Sequence, residues 1–108
     1  MIQSFATIFC TVPDQATAEK ISLNLVSSHL AACCNIVSGV ESVYYWEGKV
    51  CRDGELLLII KSTQDKFEKI KEKIIDLHPY EVPEVIALPI INGNESYLKW
   101  IEDLVNGR

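Results

Sequence analysis

Cys33-Cys34-Asn35-Ile36-Val37-Ser38-Gly39-Val40-Glu41-Ser42-Val43-Tyr44-Tyr45-Trp46 is the stretch that decides the architecture. It is rich in β-branched and aromatic residues and predicts one long strand from Ala32 to Trp46. Gly39 in its middle predicts a bend or bulge. Glu47-Gly48 follows as a hairpin tip, and Lys49-Val50-Cys51 starts the return. Arg52-Asp53-Gly54 is expected to interrupt that return as a bulge or small loop. Glu55 to Lys61 then runs as a buried strand through Leu56-Leu57-Leu58-Ile59-Ile60.

On the N-terminal side, Phe5-Ala6-Thr7-Ile8-Phe9-Cys10-Thr11-Val12 is apolar on both faces, as a central strand requires. Ala6, Ile8, Cys10 and Val12 share one face by the period of two. Pro13 stops the strand and Asp14 is an N-cap for a helix from Gln15 to about Leu30. In that helix Ala18, Ile21 and Leu25 form one stripe, flanked by Leu23, Val26 and Leu30. On the C-terminal side, Ser62 or Thr63 is expected to cap a helix with Phe67, Ile70, Ile74 and Leu77 on one face. A fourth strand, Val85 to Ile91, follows. Asn92-Gly93 turns the chain, and Asn94 opens a short final helix carrying Leu98, Ile101 and Val105, closed near Gly107.

The order βαββαβ plus a terminal helix predicts an α+β, ferredoxin-like split βαβ fold with both main helices on one sheet face. The hairpin between the second and third strands outruns anything two helices could cover. Its Tyr44-Tyr45-Trp46 tip and the bare sheet face form an apolar surface that a monomer rarely leaves exposed, so self-association is expected.

Between the second helix and the last strand lies His78-Pro79-Tyr80-Glu81-Val82-Pro83-Glu84. Proline pushes the residue before it toward extended backbone, so His78 and Val82 should both be extended. Such a stiff, polar-decorated lead into a strand has the character of a site or of its wall.

At 108 residues the chain (1–108) is expected to be one domain, large enough to form a core without staples. Its net charge is −5 with no basic cluster, which argues against nucleic acid as a partner. No apolar run approaches a membrane span, and the start, Met1 to Phe5, has no basic stretch leading into a long apolar one. Cys10, Cys33, Cys34 and Cys51 read as reduced thiols, and the expected location is the cytoplasm. No nucleophile elbow or phosphate loop is present, so no catalytic residue is assigned and no enzyme activity is expected.

The chain resembles the CutA family of divalent-cation tolerance proteins over essentially its whole length. The resemblance is carried by Cys10 to Ala18, Leu30-Ala31-Ala32-Cys33, Ser42 to Lys49, His78 to Glu84 and Tyr97-Leu98-Lys99-Trp100. It implies a ferredoxin-like subunit in a tight homotrimer, with the long hairpin reaching a neighbour. It also implies a link to tolerance of copper and other divalent metals, and an architectural kinship with PII-type signalling trimers. Cys10 and His78 stand at positions similar to the copper ligands of bacterial members. The family's second histidine, directly before His78, is Leu77 here.

Thiolate and imidazole suit copper, and a thiolate suits Cu(I) in particular. Cys10 is also open to reading as a small core residue, and His78 as a cap on the second helix. Cys33 and Cys34 point to opposite faces of a strand and form no clamp. Tyr44, Tyr45, Trp46, Glu81 and Glu84 are expected at a subunit boundary or a ligand cleft. The function expected is metal binding and tolerance by a cytosolic homotrimer, with copper or another divalent cation bound and none required for folding. The alternatives are a trimeric small-molecule sensor or adaptor working through clefts between subunits, or a stable scaffold with incidental metal affinity.

Overall fold

A computed structural model describes residues 4–107; Met1 to Gln3, cited above for the chain's start, and Arg108 lie outside the described residues. The elements are β1 (Phe5–Val12), α1 (Gln15–Ser27), β2 (Cys33–Trp46), β3 (Lys49–Thr63), α2 (Phe67–Leu77), β4 (Ile86–Ile90) and α3 (Glu95–Val105). The strands form one sheet in the order β2-β3-β1-β4, and every neighbouring pair is antiparallel. That is the ferredoxin-like order expected from the sequence.

β1 alternates as its composition requires: Ala6, Ile8, Cys10 and Val12 are fully buried, while the residues between them are half-buried. Of these, Ile8, Cys10 and Val12 meet Leu58 and Ile60 of β3, the α1 stripe Ala18, Ile21 and Leu25, and Ile70 and Ile74 of α2 in one apolar core. Each fully buried isoleucine or leucine there contributes about 1.5–3 kcal/mol relative to exposure. α3 lies against β3 and buries Ile101 and Val105.

Helix ends follow local chemistry. Asp14 caps α1, its Oδ1 accepting from the Thr17 backbone N–H at 2.8 Å. These Thr17 hydrogen bonds hold the Asp14 carboxyl below its usual range. α1 stops at Ser27 rather than near Leu30. His29 adopts φ +62°, and the N–H groups of Leu30 and Ala31 both turn back to the Leu25 carbonyl. Histidine thus fills the left-handed position that glycine usually takes at a helix end. Its ring nitrogen lies 2.8 Å from the Leu104 carbonyl and ties α1 to the end of α3. Thr63 precedes a 3-10 turn (Gln64–Lys66), and its hydroxyl pairs with Asp65 rather than with a helix N–H, so α2 begins later than expected.

The hairpin corrects the sequence reading in one respect. Arg52, Asp53 and Gly54 do not interrupt β3; they pair with Val43, Ser42 and Glu41 in continuous register. The irregularity sits on the other strand, where register shifts between Val37 and Val40 around Gly39, whose φ is +78°. That bulge is the bend expected at Gly39. At the tip, Glu47 and Gly48 both have positive φ, +48° and +80°, as a tight two-residue hairpin turn demands. Fourteen residues at ~3.3 Å each make β2 about 46 Å long, which accounts for the 47 Å long axis of the molecule. The ribbon therefore runs beyond the helices, and Val43, Tyr45 and Val50 remain exposed.

β4 is one residue shorter at each end than expected. Among the described residues it pairs only with β1 and forms a sheet edge, where Pro89 is tolerated because no ladder donor is needed on the outer side. Ile86 and Leu88 on that edge are exposed.

Candidate functional site

The end of β1, the end of α2 and the His78–Glu84 segment meet at one corner. α2 stops at Leu77 because Pro79 forces His78 out of the helix: His78 has ψ 137°, and its N–H still reaches the Ile74 carbonyl at 2.8 Å. This places a buried imidazole against the last residues of β1. Nε2 lies 2.8 Å from the Thr11 carbonyl oxygen, and Nδ1 accepts from the Tyr80 backbone N–H at 3.1 Å. A carbonyl can only accept and an N–H can only donate, so the ring is the neutral tautomer protonated on Nε2. The ring also packs against Tyr80, with centroids 4.6 Å apart.

Cys10 is fully buried, and its thiol donates to the same Thr11 carbonyl, with Sγ 3.7 Å from the oxygen. Cys10 and His78, singled out separately in the sequence, therefore converge on one acceptor. Burial, followed by the charges of Glu84 and Glu55, pushes the Cys10 thiol up to about 12, so at neutral pH it is a thiol and not a thiolate. Leu77 packs against the core. Among the described residues no group of three His, Cys, Asp or Glu side chains is arranged to hold a metal ion. Cys33 and Cys34 are separate, half-buried free thiols, and burial pushes Cys34 up to about 11.

Beside this corner the β2–β3 ribbon and the proline segment enclose a cleft of about 530 Å³, lined in part by Tyr44, Trp46, Glu55, Tyr80, Glu81 and Glu84. Cross-strand register explains the hairpin contribution: Tyr44 and Trp46 on β2 face the same way as Cys51, Asp53 and Glu55 on β3. The Tyr80 hydroxyl donates to Glu55 Oε2 at 2.7 Å, and the Tyr44 hydroxyl donates to Asp53. Glu55 is buried, at 9% exposure. Burial, and then the bond to Glu55, raises the Tyr80 phenol; the bond to Asp53 pushes the Tyr44 phenol up to about 12. Both phenols are thus fixed as donors.

Of the residues expected at a boundary or cleft, Tyr44, Trp46, Glu81 and Glu84 come together here. Tyr45 faces the other way, 71% exposed, with its hydroxyl on the Gly48 carbonyl. Cys10 and His78 do not line the cleft, but their chain neighbours Thr11 and Pro79 do. Glu55 was missed as a site residue. The available signal was its register: with Arg52-Asp53-Gly54 taken as paired strand, Glu55 falls on the Tyr44 face.

A family model described as CutA1 divalent ion tolerance protein matches residues 6–104. The divalent-cation tolerance protein CutA of Thermus thermophilus is 49% identical over 96 residues, covering 89% of this chain and 93% of that one. The chloroplastic protein CutA of Arabidopsis thaliana is also 49% identical over 96 residues, covering 89% of this chain and 53% of that relative, so this chain spans about half its length. The crystal structure of CutA1 from Oryza sativa superposes with a TM-score of 0.92 at 44% identity, covering 94% of each chain.

Proposed function

The chain belongs to the CutA1 divalent ion tolerance family, and from that premise we propose that it acts as a homotrimer that takes up copper, or another divalent cation, at the Cys10–His78 corner. The observation that carries this reading is the convergence of the Cys10 thiol and the His78 imidazole on the Thr11 carbonyl. Sulfur and imidazole nitrogen are donors that suit copper, and a thiolate selects Cu(I). Both donors must first be released: Cys10 loses its proton, and one His78 nitrogen gives up the Thr11 carbonyl or the Tyr80 N–H. Uptake is therefore coupled to proton release, and affinity rises as pH rises. On this reading the metal is cargo and not a requirement for folding. The role is binding and not catalysis.

Association is supported by the unpaired outer edge of β4 and by the exposed apolar residues of the hairpin. Cytosolic placement rests on the four free thiols. The test is a Cu(I) competition titration of wild type, Cys10→Ser and His78→Ala between pH 6 and 8. The expected result is tight wild-type binding that strengthens about tenfold per pH unit through the Cys10 proton and is lost in both variants. Wild-type affinity in both variants would overturn the assignment. A second reading, a trimeric small-molecule sensor or adaptor, is favoured by the aromatic and acidic cleft beside this corner.

A further inference from the structure

Whichever ring nitrogen of His78 takes a metal ion, the Tyr80 backbone N–H loses its acceptor. The neutral imidazole carries its one proton on Nε2, 2.8 Å from the Thr11 carbonyl oxygen, while Nδ1 accepts from Tyr80 N–H at 3.1 Å. If Nδ1 ligates, the ion takes the lone pair that Tyr80 N–H uses. If Nε2 ligates, its proton passes through solvent to Nδ1 and the ring stays neutral. Nδ1 is then a donor facing another donor. A ligating histidine ordinarily turns its second ring N–H toward an oxygen, and His78 is set the opposite way.

Tyr80 is also what fastens its segment. Residues 79–84 form neither helix nor strand, and among the described residues they make no backbone–backbone hydrogen bond. Tyr80 holds them at three points: its N–H on Nδ1, its ring against the imidazole with centroids 4.6 Å apart, and its hydroxyl on Glu55 Oε2 of β3 at 2.7 Å. Two of the three are on His78 itself, and all lie within one subunit. A part-buried N–H left without an acceptor is costly. The segment must therefore turn to satisfy it, and Pro79 and Pro83 limit how much of that turn the backbone can absorb locally.

We propose that Tyr80 is a metal-released latch: ion uptake at His78 breaks its hold on the imidazole and loosens its hydroxyl from Glu55, freeing the 79–84 segment from strand β3 of the hairpin. The inference rests on the reading of His78 as a metal ligand and adds the regulation of that site. Linkage makes the effect reciprocal, so a latch that metal opens holds metal back by the same factor. Weakening the latched form raises the fraction of molecules ready to bind. Removing the phenol hydroxyl therefore tightens metal binding, whereas a hydroxyl that merely supported the site would weaken binding when removed.

The test adds Cu(I) without oxygen to the assembled, ¹⁵N-labelled protein, follows hydrogen exchange at the Tyr80 amide by NMR, and measures affinity by competition titration. Cu(I) is expected to speed exchange at Tyr80 on the order of tenfold, while the core amides of Ile8 and Leu58 are not accelerated. Tyr80→Phe is expected to bind Cu(I) about fivefold more tightly or better, a gain absent when His78→Ala is added. The exchange measurement uses the wild-type chain and stands even if the variant fails to fold. Cu(I) bound through His78 with Tyr80 exchange unchanged, or Tyr80→Phe binding no more tightly than wild type, would overturn the latch and leave the metal site standing. Cu(I) affinity unaffected by His78→Ala would overturn both.

Discussion

Trp46→Ala probes association through the hairpin. In the isolated protomer Trp46 is 42% exposed. A tryptophan offers up to about 250 Å² of burial, so the uncovered part is about 100 Å². If a neighbour covers it, that area is worth about 2.5 kcal/mol per protomer at 25 cal/mol per Å². Three such contacts would weaken a trimer by about 7–8 kcal/mol, five to six orders of magnitude in its association constant. Part of the side chain already packs within its own subunit, and losing that contact lowers the stability of the protomer as well. Sedimentation equilibrium across nanomolar to micromolar concentration separates the two effects, because only the first depends on concentration. The expected outcome is a wild-type trimer and a variant that dissociates in the micromolar range while its circular dichroism stays folded. A monomeric wild type, or a variant whose association constant falls by less than tenfold, would refute the reasoning.

Leu77→His should tighten Cu(I) binding in a competition titration, by adding the ligand atom that Leu77 lacks; because Leu77 packs on the core, the same change should cost about 1–2 kcal/mol in urea unfolding. Tyr80→Phe deletes the hydroxyl that donates to the buried Glu55 carboxylate, and should cost about 1–3 kcal/mol by the same measurement. Cys10 has its folded-state pKa raised from 9.0 to about 12. The folded state therefore holds that proton more tightly than the unfolded chain, and the associated stability is complete below about 9 and is lost as pH rises toward about 12. Cys10→Ala should make the fall of unfolding free energy shallower by about 1.4 kcal/mol per pH unit in that window, and an unchanged slope would contradict the burial of this thiol.

The strand order and the main core were legible because their signals are local and periodic. The alternation of buried Ala6, Ile8, Cys10 and Val12 survives, and the last three form one interior with the stripe Ala18, Ile21, Leu25. Asp14 and Asn94 cap the helices they precede, since a side-chain oxygen one residue before a helix has few other uses. What was illegible depended on partners distant in sequence. Arg52-Asp53-Gly54 has poor strand propensity, yet it lies in a two-stranded ribbon where cross-strand bonding to Val43, Ser42 and Glu41 overrides that preference. Misreading it hid the face shared by Tyr44, Trp46 and Glu55, and with it the buried carboxylate of the cleft. His29 ended α1 early because its ring finds the Leu104 carbonyl, 75 residues away. Cys10 and His78 were identifiable by type and resemblance; that both address the Thr11 carbonyl is a fact of tertiary structure.

The most direct measurement of the central proposal is native mass spectrometry of the untagged protein loaded with Cu(I) and then desalted, alongside Cys10→Ser and His78→Ala. The expected result is a species of three chains carrying up to three copper ions, with the copper lost and the three-chain assembly retained in each variant. A single-chain species, or copper retained equally by wild type and both variants, would contradict it.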